Sequence, residues 1–284
     1  MKFWVVAKDG LLGQELCKYF KEIGIPFVGS SHLDADILNV EALEQFYKKH
    51  KPTHIVNCAA YVNVDEAEGV GKQLAYALNV TGPKNLTSIA REHGARLIHI
   101  GTDYVFNGNK GAEYVETDTT NPINEYGRTK LQGEIEVLKY EKGLCIRTAS
   151  IYGSGKPGIV SGILDMLKTK EEAKHISDQI SSPTYTKDIC EALFAIKDES
   201  GVFHFTNSGF VSRYGLVLHI WQLAKELGIE TKCKKVIAVL QNEAKRAAIR
   251  PLSSVLSNKK IGPFLDKPIR TWEEALREYI TTLC

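Results

Sequence analysis

A phenol and an ammonium group lie one helical turn apart in the segment NEYGRTKLQG, residues 124 to 133. Tyr126 and Lys130 are four residues apart, so on a helix their side chains share a face and point at one place. A tyrosine beside a lysine is suited to general acid catalysis, because the positive charge favours the phenolate and lowers the pKa of the phenol. The alternative interpretation is a surface helix on which both side chains face water. The surrounding segments decide between the two.

A glycine-containing turn follows the first predicted strand, at AKDGLLG, residues 7 to 13. Gly10 and Gly13 have the spacing of the last two glycines in a dinucleotide-binding turn, where backbone N–H groups at a helix N-terminus approach a pyrophosphate. Ala7 stands at the position of the first glycine. Alanine is tolerated there if its φ is negative and is costly if φ is positive. A plain strand-to-helix turn that binds no nucleotide is the alternative.

The end of the second predicted strand indicates the type of dinucleotide. The residues there are GSSH, 29 to 32, and they lack the carboxylate that binds the ribose hydroxyls of NAD. Ser30, Ser31 and His32 can accommodate a phosphate, although no arginine is present to clamp it. We therefore expect NADPH as the cofactor, with use of NADH also permitted.

Apolar runs alternate with amphipathic stretches over the first half of the chain. The predicted strands are 3–7, 26–29, 54–58, 96–100 and 144–147. The predicted helices between them are 13–23, 40–50, 73–93 and 124–141. This alternation predicts an α/β fold with a doubly wound, parallel, Rossmann-type sheet.

The alternation weakens after about residue 150, where we expect a smaller mixed α/β substrate-binding lobe. We assign residues 1–150 to a dinucleotide-binding domain and 151–284 mainly to the substrate-binding lobe. A segment near 187–207, with a helix at 187–196 and a strand at 202–205, is expected to return to the main sheet. Further helices are predicted at 159–170, 213–227 and 271–283.

The composition limits the classes of partner. The chain of 284 residues is 43% hydrophobic and 25% charged, with a formal net charge of +2. These values are typical of a globular protein and do not favour nucleic acid or membrane as a partner. We found no signal peptide and no metal-like cysteine spacing, so we expect a cytoplasmic monomer or homodimer without a metal site. The six cysteines, expected to be free thiols, are Cys17, Cys58, Cys145, Cys190, Cys233 and Cys284.

Five segments, in order along the chain, resemble one enzyme family. They are NCAAYVNVDEAE (57–68), GTDYVFNG (101–108), NEYGRTKLQGE (124–134), CIRTASIYG (145–153) and DQISSPTYTKDI (178–189). Thr102, Tyr126 and Lys130 match the Thr/Ser, Tyr and Lys set of the extended short-chain dehydrogenases/reductases. Together the segments are similar to the dTDP-4-dehydrorhamnose reductase family over essentially the whole chain. The resemblance implies NADPH-dependent reduction of the 4-keto group of a nucleotide-linked 6-deoxy sugar, foremost dTDP-4-dehydrorhamnose to dTDP-L-rhamnose.

The resemblance also implies roles for individual residues. Tyr126 would deliver the proton to the substrate. Lys130 would lower the pKa of the Tyr126 phenol and bind the nicotinamide ribose, and Thr102 would donate a hydrogen bond to the substrate oxygen. Besides Ser30, Ser31, Tyr126 and Lys130, the implied cofactor contacts are Gly10, Leu11, Leu12, Asp36, Ile37, Ala59, Ala60 and Tyr61. The expected substrate contacts are Thr102, Asp103, Tyr104, Ser150 and Arg250.

Two positions keep alternatives open. Ser150 stands where the family commonly has a tryptophan that lines the nucleotide-sugar site, which raises the alternative of a reductase for a different keto-sugar nucleotide. Arg250, in RPLSS (250–254), is expected either to meet a substrate phosphate or to be a structural arginine. A non-catalytic nucleotide-binding subunit, similar to the regulatory subunit of methionine adenosyltransferase, also carries a Tyr-x-x-x-Lys. The runs YVNVDEAE and DQISSPTYT favour the reductase.

Overall fold

Parallel strands form the centre of the computed structural model, which describes residues 1–283; Cys284 lies outside the described residues. The strands are β1 (Phe3–Val6), β2 (Phe27–Ser30), β3 (His54–Asn57), β4 (Arg96–Ile100), β5 (Gly143–Arg147), β6 (Ile151–Tyr152), β7 (Glu172–Ile176), β8 (Ile180–Ser181), β9 (Thr184–Tyr185), β10 (Gly201–His204), β11 (Val211–Ser212) and β12 (Lys235–Val239). The helices are α1 (Leu11–Glu22), α2 (Val40–His50), α3 (Lys72–Tyr76), α4 (Gly82–His93), α5 (Glu125–Leu138), α6 (Ile159–Thr169), α7 (Thr186–Ala195), α8 (Arg213–Glu226) and α9 (Trp272–Thr281).

The main sheet has six strands in the order β10–β5–β4–β3–β1–β2, and all neighbours are parallel. From β1 the chain first winds outward to β2 and then crosses to β3 on the other side. Ligands of such sheets bind where this reversal opens a crevice beyond the carboxyl ends of the strands. The turn after β1 and the segment after β3 therefore border the expected cofactor site.

Alternate residues of β1 enter two separate cores, as they must in a strand that is covered on both faces. Phe3 and Val5 pack with apolar residues of α1 and α7. Trp4 and Val6 pack with apolar residues of α2, α4 and α5. The sheet is thus covered by helices on both sides, which confirms the predicted doubly wound α/β fold.

A third core lies in the second half of the chain and joins α6, α8 and α9. Three short strand pairs accompany it: β7 with β12 and β6 with β9 are parallel, whereas β8 with β11 is antiparallel. The returning segment is present, because β10 pairs with β5 and α7 packs against α1. The mixed lobe agrees with the predicted fold class, while the domain boundaries stay a prediction.

The predicted helix 73–93 is not a regular α-helix. It consists of α3, a π-helical turn at Ala77–Thr81, and α4. The π-helical turn contains Asn79, which is fully buried. Its side chain forms hydrogen bonds with the backbone N–H and carbonyl of Tyr61, in the segment after β3. Six strands of the second half were not predicted: β6, β7, β8, β9, β11 and β12. None of the described helices has the length and apolar character needed to cross a membrane.

Candidate active site

The start of α5 determines where Tyr126 and Lys130 lie. Asn124 is the N-cap of this helix: its side-chain oxygen accepts a hydrogen bond from Gly127 N at 2.8 Å, and its amide donates to Ile249 O at 2.8 Å. The cap places Tyr126 in the first helical turn and Lys130 one turn later on the same face. The Tyr-x-x-x-Lys segment therefore lies on a helix, as predicted.

Gly127 allows α5 to approach the segment that follows β4. A Cβ atom at this position would lie 2.3 Å from the carbonyl oxygen of Tyr104, so any side chain would force the two apart. At this close distance the rings of Tyr104 and Tyr126 meet edge to face, with centroids 5.7 Å apart and an interplanar angle of 81°. Tyr104 is thereby part of the wall around Tyr126.

Lys130 is buried beneath Tyr126. Its Nζ donates to Ile100 O at 2.6 Å and lies 3.4 Å from His99 Nε2. Burial lowers the pKa of Lys130 to about 8, although nearby Glu134 and two cysteines favour its charged form. Burial and the charge of Lys130 hold the pKa of His99 well below its usual range, so His99 is neutral. Lys130 is therefore mostly cationic at neutral pH but close to its titration.

The expected effect of Lys130 on the phenol is wrong for this state of the protein. Burial raises the pKa of Tyr126 above its ordinary value, while a hydrogen bond with Thr102 opposes the shift only partly. The ammonium of Lys130 is directed at Ile100 O instead, one turn below the phenol. Tyr126 is consequently protonated at neutral pH, which is the state that a proton donor requires.

Thr102 is held by its neighbour Asp103. The Thr102 hydroxyl donates to Asp103 Oδ1 at 3.1 Å and accepts from Tyr104 N at 3.2 Å. Ser254, from the RPLSS segment, donates to the other carboxylate oxygen of Asp103 at 2.5 Å. Burial raises the pKa of Asp103 to about 6, against the effect of these two hydroxyls. Asp103 was expected to touch the sugar, but it is 3% exposed, and we interpret it as a positioning residue for Thr102.

We expect binding of NADPH to weaken above about pH 8, because Lys130 then loses the charge that favours anionic and polar partners. Cofactor fluorescence titrations on both sides of this pH measure the effect. Lys130→Arg, whose guanidinium stays charged, should bind NADPH with little dependence on pH in the same range. A wild-type dissociation constant that is flat through pH 8 would show that the charge of Lys130 does not contribute.

The turn after β1 has the features that a pyrophosphate needs. Gly10 is the N-cap of α1 without a side-chain hydrogen bond, and no acidic residue lies in the first turn of the helix. A Cβ atom on Gly13 would lie 2.2 Å from Ala7 O, so only glycine permits this close approach of helix and turn. The first turn of α1, which begins at Leu11, thus contributes no carboxylate that would compete for its own N–H groups. The turn therefore fits the phosphates of a dinucleotide.

Ala7 has a φ of +59°, in the left-handed region that favours glycine. Alanine in place of the first glycine therefore adds conformational strain, which costs about 1 kcal/mol or more for a non-glycine residue in this region. The turn nevertheless closes, with Gly10 N donating to Ala7 O at 2.9 Å. The alanine strains the turn without changing its course.

The residues expected at the adenine end have different exposures. Ser30 is fully buried, and its hydroxyl accepts from the indole N–H of Trp4 at 2.8 Å, so we leave it out of the proposed cofactor contacts. Ser31 is partly exposed at the end of β2. Asp36 uses Oδ1 to accept from Leu38 N at 2.9 Å, and Ile37 is buried against α4.

Two buried asparagines, to which the sequence analysis gave no role in the site, hold the segment after β3 by hydrogen bonds. Asn57 Oδ1 accepts from Ala59 N at 3.0 Å, and the Asn57 amide contacts His99 Nδ1 at 3.1 Å. Asn79 Oδ1 accepts from Tyr61 N at 2.8 Å, and its amide donates to Thr129 of α5 at 3.1 Å. These buried amides hold the expected ribose contacts, residues 59–61, in register with α5. The position of Asn57 at the start of NCAA (57–60), at the carboxyl end of β3, was the sequence signal from which its role could have been predicted.

A basic pocket lies in the smaller lobe and is linked to Tyr104 through Gln179. It has a volume of about 530 Å³ and lies between α6, β7, α8 and the segment 239–246. Arg213 connects it to the site: its backbone N–H donates to the Gln179 carbonyl, and Gln179 Nε2 donates to the Tyr104 hydroxyl, each at 3.1 Å. The buried Nε of Arg213 has no hydrogen-bond partner among the described residues. The cationic side chains in the lining are Lys174, His175 when protonated, Arg213 and Arg246.

Arg250 is a neighbour of this pocket but is already paired. Its two terminal nitrogens donate to Asp65 Oδ1 at 3.1 Å and Oδ2 at 2.7 Å. The ion pair lowers the pKa of Asp65 to about 2. Arg250 thus joins the RPLSS segment to Asp65, which precedes the short helical turn Glu66–Glu68. Two roles were expected for Arg250, and these contacts favour the structural role over binding of a substrate phosphate. Arg213 and Arg246 were missed in the sequence because neither lies within a segment that carried the resemblance, although Arg246 is only four residues before Arg250.

Ser150 has a left-handed backbone with φ of +45°, and its hydroxyl lies 2.8 Å from the hydroxyl of Ser181. Ser150, the residue at the position where the family commonly has a tryptophan, is therefore in contact with Ser181. This contact joins the segment after β5 to β8.

The described cysteines are free, as expected. Burial raises the pKa of Cys17 to about 11 and those of Cys58, Cys145 and Cys190 as well, so none of these four is an activated thiol. A surface group of Glu44, Glu92 and His93 brings three potential metal ligands within 4.8 Å of one another. Glu44 is already engaged by Lys48 and His93, at 2.9 and 2.8 Å.

Comparison with known proteins agrees with this geometry. The family model described as the RmlD substrate binding domain matches residues 1–284. A dTDP-4-dehydrorhamnose reductase from Streptomyces griseus is 33% identical over 294 residues, covering 100% of this chain and 94% of its own. The crystal structure of such a reductase from Clostridium acetobutylicum has a TM-score of 0.92 and 36% identity, covering 100% and 99% of the two chains. A Bacillus anthracis reductase solved in complex with NADP has a TM-score of 0.92 and 29% identity, covering 99% of both chains. The chain therefore belongs to the RmlD family of dTDP-4-dehydrorhamnose reductases, within the extended short-chain dehydrogenases/reductases.

Proposed function

We propose that this protein reduces the 4-keto group of a nucleotide-linked 6-deoxy sugar with NADPH, and that dTDP-4-dehydrorhamnose is the foremost substrate, with dTDP-L-rhamnose as product. The observation that carries the proposal is a buried, protonated Tyr126 that interacts with Thr102, just after β4, and has the buried Lys130 one helical turn away. This arrangement supports a proton donor at the carboxyl edge of the sheet, where we expect the dinucleotide and the anionic substrate to meet.

The cofactor, when bound, supplies the hydride, and the chain supplies the proton and the geometry. Tyr126 donates its proton to the oxygen of the former ketone. The Thr102 hydroxyl, which donates to Asp103 Oδ1 in the free protein, turns from Asp103 to donate a hydrogen bond to the same oxygen and holds it near the phenol. Lys130 lies one turn away on the same helix and binds the nicotinamide ribose; its ammonium contacts Ile100 O and does not set the pKa of the phenol. Tyr104 and the surrounding apolar wall limit access of water to these groups.

The basic pocket is where we expect the diphosphate of the substrate. Arginine binds phosphate through several parallel N–H donors, and the unpaired Nε of Arg213 is such a donor. Arg246 adds a second positive charge in the same lining. Glu243 also lines the pocket, but its carboxylate accepts from Leu240 N at 2.8 Å and caps the local turn. The pocket is therefore electrostatically suited to a nucleoside diphosphate.

We expect Arg213→Met to raise the KM for the dTDP-sugar by about 10- to 100-fold with little change in kcat, since a hydrogen bond to a charged group contributes about 1.5–3 kcal/mol. Steady-state kinetics at saturating NADPH measure both constants. Arg277→Met is the matched control, because Arg277 is an exposed arginine on α9 that is paired with Glu226. An unchanged KM in Arg213→Met would place the diphosphate elsewhere.

The direct test of the function is oxidation of NADPH in the presence of dTDP- and UDP-linked 4-keto-6-deoxy sugars, with the product assigned by NMR. We expect the highest kcat/KM with dTDP-4-dehydrorhamnose. No oxidation with any member of the panel would refute the proposal. Higher efficiency with another sugar nucleotide would select the second candidate, a reductase of the same mechanism for a different keto sugar. The contact between Ser150 and Ser181 is the observation that favours this second candidate.

The other alternative, a non-catalytic regulatory subunit, receives no support from the relatives from Streptomyces griseus and Clostridium acetobutylicum, both of which are named as reductases. The assignment of residues 1–150 and 151–284 to cofactor and substrate binding is part of this proposal. The cytoplasmic location and the monomeric or homodimeric state stay predictions.

A further inference from the structure

The carboxylate of Asp34 lies shortly after β2, in the region where Rossmann-type folds bind the adenosine ribose of the cofactor. One oxygen of Asp34, Oδ2, accepts hydrogen bonds from Ser31 N at 2.8 Å, Ser31 Oγ at 2.9 Å and Lys8 Nζ at 3.0 Å. Three donors from two chain segments thus converge on a single anionic oxygen. Such a set of donors is also what a phosphate group requires.

The two segments border the adenosine end of the crevice. Ser31 directly follows β2, where a Rossmann-type sheet distinguishes a ribose hydroxyl from a ribose phosphate. Lys8 belongs to the phosphate-binding turn after β1, and its backbone N–H donates to Ser30 O at 2.9 Å. Its side chain crosses β2 where Gly29 leaves room, since a Cβ atom on Gly29 would lie 2.8 Å from Lys8 Cβ. Lys8 is thereby directed at Asp34 by the sheet itself.

The pair is accessible and therefore able to rearrange. The side chains of Lys8 and Asp34 are 38% and 42% exposed. The hydrogen bonds from Ser31 and Lys8 hold the pKa of Asp34 well below its usual range, so the carboxylate is charged at neutral pH. A negative charge at this place repels a phosphate and accepts from ribose hydroxyls.

We propose that Asp34 is an internal substitute for the 2′-phosphate of NADPH and that it sets the cofactor preference of this chain. Ser31 and Lys8 exchange the Asp34 carboxylate for the 2′-phosphate when NADPH binds, and they keep the carboxylate in the presence of NADH. The exchange lowers the discrimination between the two cofactors, so both are used. The inference rests on the proposed function only in that the turn after β1 binds a dinucleotide.

The test uses the full chain and two fragments of the cofactors, 2′,5′-ADP and 5′-AMP, with binding measured by isothermal titration calorimetry. Asp34→Asn keeps the size and the acceptor oxygen of the side chain and removes the charge. We expect it to bind 2′,5′-ADP about tenfold more tightly than the wild type, because one opposing charge at contact distance is lost, with 5′-AMP unchanged or weaker. Lys8→Met should bind 2′,5′-ADP more weakly and leave 5′-AMP unchanged.

Asp118→Asn is a matched control. Asp118 accepts from Val115 N, three residues earlier, at 2.7 Å and from Lys110 Nζ at 2.5 Å, the same arrangement on another loop. The Asp118→Asn variant should bind 2′,5′-ADP and 5′-AMP with the same affinities as the wild type. Equal affinities of wild type and Asp34→Asn for 2′,5′-ADP, or an equal gain for both fragments, would overturn the proposal.

If Asp34→Asn loses both ligands because its loop collapses, Lys8→Met decides, since it leaves the bonds between Ser31 and Asp34 intact. A selective loss of 2′,5′-ADP then supports the inference, and an equal loss of both fragments refutes it. These readouts need no sugar substrate. Absence of keto-sugar reduction with intact 2′,5′-ADP binding would reject only the reaction, whereas a wild type that binds neither fragment would reject the cofactor site.

Discussion

Tyr126→Phe is expected to lower kcat at least about a hundredfold, because general acid catalysis typically contributes 10²–10⁴-fold, or about 2.7 kcal/mol and more of the barrier. The variant loses only the phenolic oxygen, and its ring keeps the edge-to-face contact with Tyr104. We therefore expect the dissociation constant of NADPH to change little. Steady-state kinetics and cofactor fluorescence, measured on the same preparation, separate the two effects.

The matched control for this variant is Tyr140→Phe. Tyr140 is a buried tyrosine just beyond the other end of α5, where its hydroxyl donates to Ala90 O at 3.4 Å. Its kcat should stay close to that of the wild type. Turnover by Tyr126→Phe at a nearly normal rate would remove Tyr126 from the mechanism and would leave Thr102 or a water molecule as the donor.

Glu134→Gln is expected to destabilise the fold by about 3–5 kcal/mol, because it leaves Arg147 as an unpaired buried charge. Glu134 and Arg147 are 2% and 4% exposed and form a bidentate pair, with Nη2–Oε1 at 2.5 Å and Nε–Oε2 at 2.9 Å. The pair joins α5 to β5, so its loss also loosens the helix that carries Tyr126 and Lys130. At about 2 °C per kcal/mol for a chain of this size, Tm should fall by roughly 6–10 °C.

Calorimetric melting of two further variants makes the test specific. Glu136→Gln removes a more exposed partner of Lys139 on the same helix, and it should cost less than about 1 kcal/mol. The double variant Glu134→Gln, Arg147→Met removes both charges and should recover part of the loss, since the penalty comes from the unpaired guanidinium. A Glu134→Gln protein as stable as the wild type would show that Arg147 finds another partner, for which His204 Nε2 at 3.3 Å is the candidate.

The sequence by itself determined the features that depend on neighbouring residues. The alternation of apolar strands and amphipathic helices predicted the doubly wound sheet, because a strand covered on both faces must be apolar throughout. The spacing of Tyr126 and Lys130 predicted a shared helical face, and Asn124 as N-cap confirms it. Gly10 and Gly13 predicted a close strand-to-helix turn, and the approach of Gly13 to Ala7 O confirms it; binding of a pyrophosphate by this turn stays a prediction.

Only the tertiary structure decided the electrostatics of the site and the partners of its charged groups. The pKa of Tyr126 is raised because burial outweighs the hydrogen bond from Thr102, and burial is a property of the packed molecule. Ser30 and Ser31 are adjacent in sequence, yet the alternation of the strand buries one hydroxyl against Trp4 and leaves the other at the cofactor crevice. Lys8 meets Asp34, and Arg213 reaches Tyr104 through Gln179, across separations that no local pattern records.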